Sequence, residues 1–209
     1  MSTYVYIPRR CFEAVKAGMK YAANVSRHEC RNVYLSMSGC CVDLYFSDSM
    51  HVTRLSTINK TPVSRSLTLS FDLDVLSRIL KIEKLFELSM LVGDGKLDGI
   101  IVTGRKSNNI PAGSLGIALI DFVLDEVPSA MKRFADNPAS RVWLTEPVKI
   151  APEYMSIIGS MYSKLGASEI ACVHCEKISA TGNYETTFEG FDRFGWQIRT
   201  TIIAKPVEG

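Results

Sequence analysis

Cys41–Asn59 reads CVDLYFSDSMHVTRLSTIN. Val42, Leu44 and Phe46 alternate with Asp43, Tyr45 and Ser47; Met50 and Val52 then alternate with His51 and Thr53, and the polar triplet Ser47-Asp48-Ser49 lies between the two runs. A period of two on either side of a turn predicts a β-hairpin with one buried face. Working outward, Tyr4–Ile7 predicts a strand and Pro8 suits the start of a helix. Phe12, Val15, Met19 and Ala22 then recur at the spacing of one helical face over Arg9–Ala23. Asn32–Met37 adds a strand ahead of the hairpin, so the order is strand, helix and three strands.

That order recurs. Ser66–Phe71 predicts a strand, and Asp72 an N-cap for a helix burying Leu73, Leu76, Ile79 and Leu80. Strands follow at Phe86–Val92, Leu97–Thr103 and Ser114–Ile120, with Gly93-Asp94-Gly95 as a turn and Lys106–Gly113 as a loop. Asp121–Pro138 reads as a connector. A third copy opens with the strand Arg141–Ile150, continues with a helix from Pro152 that turns Met155, Ile158, Met161, Tyr162 and Leu165 inward, and stops that helix at Gly166. Ile170–Ile178, Glu185–Phe191 and Gln197–Ala204 complete it. Copies at a spacing of roughly 65 to 75 residues point to internal duplication. The fold class is α+β: repeated β-α-β-β-β units with the helices on one face of a curved antiparallel sheet. Residues 1–63 and 64–137 pair into one complete domain, and 138–209 form half of another.

With 209 residues, 46% apolar and 22% charged, the chain fits an ordinary globular protein with a sizeable core. It has no apolar run of the roughly 18 residues a spanning helix needs, and MSTYVYIPRR lacks a secretory h-region. A cytoplasmic location without membrane contact is expected. Cys11, Cys30, Cys40, Cys41, Cys172 and Cys175 lack the spacing of a secreted framework, which predicts reduced thiols.

Cys172-Val173-His174-Cys175 is the one dense soft-ligand cluster. On a regular strand Cys172 and His174 would share one face and Cys175 would take the other, so it is not expected to chelate. The three histidines sit apart from any nucleophile motif, and Gly93-Asp94-Gly95 precedes no helix. Neither catalytic residues nor a cofactor are expected. The positive signal is charge placed on the repeat. The first helix carries Arg9, Lys16 and Lys20 on one stripe, with Arg10 nearby and Arg27 beyond; the second carries Arg78, Lys81 and Lys84; the third contributes Lys164, preceded by Lys149. Either these are solvated faces, or they line one common surface that contacts phosphates without reading bases.

Three stretches resemble the sliding clamps of DNA replication, most closely one domain of the bacterial DNA polymerase III β subunit. Phe12-Glu13-Ala14-Val15 through Arg31-Asn32-Val33-Tyr34-Leu35 is similar to that family's first helix and next strand. Ser47-Asp48-Ser49-Met50-His51-Val52 stands in the place of its Thr-Asp-Gly-His-Arg-Leu turn. Leu119-Ile120-Asp121 through Val127-Pro128 and Met131-Lys132-Arg133 resembles its strand end and Phe-Pro-Asp-Tyr connector. The likeness covers residues 1–137, and Ile202–Pro206 looks like the family's terminal strand. It implies a non-enzymatic processivity factor that encircles duplex DNA and tethers a polymerase or another clamp-binding protein. It also implies a partner-binding pocket at Met50, Val52, Pro128, Arg133, Phe134, Ile203 and Pro206, although plain core explains Met50, Val52 and Phe134 equally well. Here Met replaces the turn's His and Ser its Gly. Clamp rings use an even number of units per chain, whereas this chain has three. The unpaired half-domain would expose a sheet edge, so homo-oligomerisation is expected, as a ring or as a smaller regulatory or decoy module without one.

Overall fold

The computed structural model describes residues 2–22, 28–48, 50–82, 85–104, 109–111, 117–136 and 148–206. The first repeat comprises β1 (Ser2–Pro8), α1 (Arg9–Gly18), β2 (Asn32–Ser38), β3 (Cys41–Ser47) and β4 (His51–Ile58). The second comprises β5 (Leu67–Asp72), α2 (Leu73–Lys81), β6 (Leu85–Gly93), β7 (Lys96–Gly104) and β8 (Asn109–Pro111). A link holding β9 (Val123–Leu124) and α3 (Ser129–Ala135) leads to β10 (Val148–Lys149), α4 (Pro152–Leu165), β11 (Ala171–Lys177), β12 (Tyr184–Phe191) and β13 (Gln197–Pro206).

The first two repeats exchange their opening strands. β1 pairs with β6 and β5 with β2, both antiparallel. One sheet therefore runs β1-β6-β7-β8, and the other runs β11-β12-β13-β4-β3-β2-β5-β9, with β10 on the end of β13. The third repeat joins the first directly, β13 lying along β4 from Gln197↔Ser56 to Ile202↔His51. β13 thus fills the edge of β4 that the first hairpin leaves open. On that side of the larger sheet, the outermost described strand is β11.

One core cluster joins Phe12 and Val15 of α1, Leu76 and Ile79 of α2, and Ile158 and Met161 of α4 to both sheets. Fully burying each such side chain is worth roughly 1.5–3 kcal/mol. α1 lies between α2 and α4, in contact with both. Local chemistry fixes the ends. Asp72 Oδ1 accepts from the amides of Asp74 and Val75 at 3.0 and 2.9 Å, and α4 stops at Gly166, whose φ of 88° is the left-handed conformation that glycine tolerates.

Four differences from the sequence reading have physical causes. α1 ends at Gly18 instead of running to Ala23, although Met19 and Ala22 remain buried. Of the expected strand Ser114–Ile120, residues 114–116 lie outside the described residues, and Leu119 and Ile120 form a short turn with Asp121, because Asp121 accepts from the Ala118 amide at 2.8 Å and is held by Arg78; the strand β8 falls inside the expected loop. The connector contains α3, which packs Met131 and Ala135 on Tyr34 and Tyr45 across the sheet from the other helices. Not all helices share one face. Finally, Cys172 pairs with Phe188 and His174 with Thr187, so a bulge at Val173 places Cys172 and His174 on opposite faces.

Candidate functional site

The hairpin turn is closed by its own side chains. Asp48 Oδ1 accepts from the Met50 amide at 3.0 Å, and Ser47 Oγ donates to the His51 carbonyl at 2.6 Å. The register Leu44↔Leu55 and Phe46↔Thr53 then turns His51, Thr53 and Leu55 toward the helices, and Val52 and Arg54 outward. Val52 therefore does not share the buried face of Val42, Leu44 and Phe46, as the alternation alone implied, whereas Met50, in the turn, packs at the margin of that core. The inward polar residues are satisfied locally. His51 Nε2 lies 2.8 Å from the Gly18 carbonyl, so it carries the proton, and Nδ1 accepts from Thr53 Oγ1 at 2.9 Å. Thr53 in turn bonds Thr200 at 3.0 Å. Burial lowers the His51 pKa, with Asp48 and the Gly18 carbonyl opposing it, and keeps the ring neutral. His51 is a crosslink between strand β4 and helix α1.

The outward residues build a cavity of about 220 Å³ between β4, α3 and the end of β13. Met50, Val52, Pro128, Phe134 and Ile203, distant in sequence, all line it. Arg133 is exposed, and its guanidinium lies 5.5 Å from the centre of the Phe134 ring. Pro206 ends β13 in register with Val148, and its side chain lies outside what the structure describes. Ala130, Met131 and Thr201 also line it, and Thr201 Oγ1 donates to the Phe134 carbonyl at 3.0 Å, tying helix to strand. Sequence reasoning missed Met131 because it treated residues 121–138 as a connector, and Thr201 because strand alternation does not show which helix covers a face. The apolar spacing Met131, Phe134 and Ala135 after Pro128 was the available signal.

Charge fixes the far end of α3. Asp136 pairs with Arg54 and accepts from Tyr45 Oη at 3.3 Å. Asp43 lies 3.9 Å from the same guanidinium. Burial pushes its carboxyl up to about 6 even though Arg54 pulls the other way.

The sequence-predicted basic residues divide. Arg9, Lys16, Lys20 and Lys164 line one groove of about 760 Å³ between α1 and α4, together with Glu13 and Glu153. Arg9 is committed inside the fold: it donates to Glu13 at 2.8 Å and to the carbonyls of Ile82 and Leu80 at 3.0 and 3.1 Å. Arg10 leaves the groove and pairs with Asp192 at 2.7 Å. Arg78 makes a two-pronged pair with Asp121 at 2.7 and 3.0 Å, which holds the Asp121 carboxyl below its ordinary range. Lys81 is exposed at the end of α2, and Lys149 is exposed on β10. Arg27 and Lys84 lie outside the described residues. Among the described cations, the groove between α1 and α4 brings Lys16, Lys20 and Lys164 together with Arg9.

Interlocked β-α-β-β-β repeats with a helical face on one side define the sliding-clamp fold. The chain is structurally similar to bacterial DNA polymerase III β subunits. It matches the β subunit of Thermotoga maritima with a TM-score of 0.51 at 9% identity, covering 100% of this chain and 65% of that one. The sliding clamp of Bacillus subtilis gives a TM-score of 0.43 at 12% identity over 99% of this chain and 50% of that one. Caulobacter crescentus pol III β gives 0.45 at 11% identity over 96% and 65%. The chain thus spans about half to two-thirds of the length of these clamps. At such identities the likeness establishes the fold alone. No family model and no curated protein matches the chain. No helix among the described residues is long and apolar enough to cross a membrane.

Proposed function

We propose that this protein is a clamp-like tether without catalytic turnover, which holds duplex DNA against its helical face and carries a polymerase or related factor on the opposite face. The observation that carries this reading is the convergence of Met50, Val52, Pro128, Phe134 and Ile203 on one small apolar cavity, with Lys16, Lys20 and Lys164 on the helix side of the same sheet. Cations on rigid helices suit sequence-independent phosphate contact. A half-open apolar cavity beside an exposed guanidinium suits an extended peptide with one or two apolar anchors. Among the described strands, β11 ends the larger sheet, and such an edge is where a further copy would join.

Retention on DNA tests the tether. A ring stays on closed circular duplex and slides from the same DNA once linearised, and K16E together with K20E abolishes retention. Equal loss from both forms, or retention untouched by the charge reversals, overturns encirclement. Val52→Glu should abolish polymerase capture while leaving DNA retention intact.

The withdrawal of Arg9, Arg10 and Arg78 into internal pairs supports a second reading, a non-ring regulatory module acting through the same cavity. That module binds its protein partner with no dependence on DNA ends, and light scattering finds no assembly large enough to enclose a duplex.

A further inference from the structure

Away from both of these surfaces, β1, the start of β6, the end of β4 and the β12–β13 turn enclose a groove of about 980 Å³. Its walls are rings that a folded chain usually covers. Tyr4 and Tyr6 are 41% and 47% exposed, Phe86 55% and Phe194 60%. Alternate positions on β1 set the Tyr4 and Tyr6 rings 6.1 Å apart, inclined by only 24°.

Phe194 is held outward by a built support. Asp192, itself buried, accepts from the amides of Phe194 and Trp196 at 2.8 and 2.9 Å and from Arg10 Nε at 2.7 Å. The guanidinium carbons of Arg10 and Arg193 then sit 4.4 and 4.7 Å from the Phe194 ring centre, within cation–π range. A buried carboxylate thus fixes a turn whose product is an aromatic ring in water. Asp192 offsets Arg10, whereas Arg193 and Lys60 are exposed at the groove. Glu87 is the opposing carboxylate in the groove, and burial there disfavours its charged form.

We propose that this groove binds single-stranded nucleic acid, with bases stacking on Tyr4, Tyr6 and Phe194 and phosphates meeting Arg193 and Lys60. Flat aromatic faces beside cations form a sequence-tolerant platform for unpaired bases. A duplex keeps its base faces covered and cannot use them. The inference does not rest on the proposed ring, since none of its residues lies on the α1–α4 groove.

The test is fluorescence anisotropy of a labelled oligo-dT with the full chain at low salt. Binding is expected, with Phe194→Ala and Tyr6→Ala each weakening it roughly tenfold. Contact with two phosphates gives a slope of log affinity against log salt of about −1.4. Arg193→Glu, on an exposed side chain, provides an independent variant should either ring substitution disturb folding. K16E with K20E should leave oligo-dT binding unchanged, which separates failure of this groove from failure of the duplex face. Absence of binding at low salt overturns the proposal, as do equal affinities for an abasic strand and oligo-dT. A self-association that Phe194→Ala abolishes would instead assign the groove to a second copy of the chain.

Discussion

Replacing Gly18 with alanine tests how the helical face is assembled. A Cβ at this position would fall 2.4 Å from Met161 Sδ and 2.5 Å from Phe46 Cε2. Both neighbours are wholly buried, but they differ in freedom. The thioether is the far end of a flexible chain and can rotate away, whereas the Phe46 ring is wedged in the core and the helix must move. Overpacking of this kind costs about 1–3 kcal/mol. Removing a glycine from a helix interior returns at most about 1 kcal/mol, and less at its last residue. The expected result is a net destabilisation of about 1–2 kcal/mol, read as a lower urea midpoint at unchanged m and a fall in Tm of roughly 2–4 °C per kcal/mol. Gly159, in the middle of α4, is the control, because an added Cβ there meets nothing within 4 Å. Gly159→Ala should raise the unfolding free energy by up to about 1 kcal/mol, read as a higher midpoint at unchanged m. If Gly18→Ala matches or exceeds wild-type stability, the close α1–α4 approach that positions Lys16 and Lys20 against Lys164 is wrong.

Three further outcomes follow from local geometry. Asp72→Ala removes the acceptor for two orphan amides at the start of α2 and should cost about 1 kcal/mol by urea denaturation, while Asp72→Ser should recover most of it. His51 has a folded pKa below its unfolded value, so the unfolded chain binds more protons between the two; stability is therefore present above pH ~6.5 and lost as pH falls below it. His51→Gln should flatten that decline between pH 7 and 5.5, and no change would refute the neutral crosslink. Asp43 acts with the opposite sign: its folded pKa of about 6 exceeds the unfolded value, so stability falls as pH rises from ~4 through 6, by up to about 3 kcal/mol. Asp43→Asn should remove this slope.

The repeat was legible because it is written in backbone periodicity. The alternating stretches of β2, β3, β12 and β13, the cap at Asp72 and the stop at Gly166 are local signals, and local physics sufficed for them. What escaped was set by contacts between distant residues. Asp121 bends its own segment because Arg78, 43 positions away, grips it. Arg10, expected beside the cationic stripe, turns away from it because Asp192, 182 positions away, offers a buried carboxylate. The cavity was half legible: the resemblance marked Met50, Val52, Pro128, Phe134 and Ile203, but α3 was hidden in a stretch that opens with acids and a proline, and so were the walls it contributes. The β4–β13 pairing was invisible, because alternation shows that a strand has two edges without showing what fills them.

The way β4 is shared constrains how the two faces are to be tested. His51 points inward to the Gly18 carbonyl while Val52, the next residue, points outward into the α3 cavity. Thr53 then bonds Thr200 beneath α4, and Arg54 returns to the outer side to hold Asp136 at the end of α3. Over four residues a single rigid strand supports the helix that carries Lys16 and the helix that carries Phe134. A substitution at an inward position of β4 would therefore disturb α1 through the lost carbonyl contact and α3 through the displaced strand, and its loss of DNA retention and of partner capture together would say nothing about either site. Surface positions on the helices avoid this. Lys16 on α1 and Lys20 in the turn that follows it are both exposed, and Ala130 lines the cavity from the exposed side of α3. Charge reversal at the former and Ala130→Glu at the latter should each remove one activity and spare the other. If Ala130→Glu removed DNA retention while the fold stayed intact, the separation of the two faces by the sheet would be refuted.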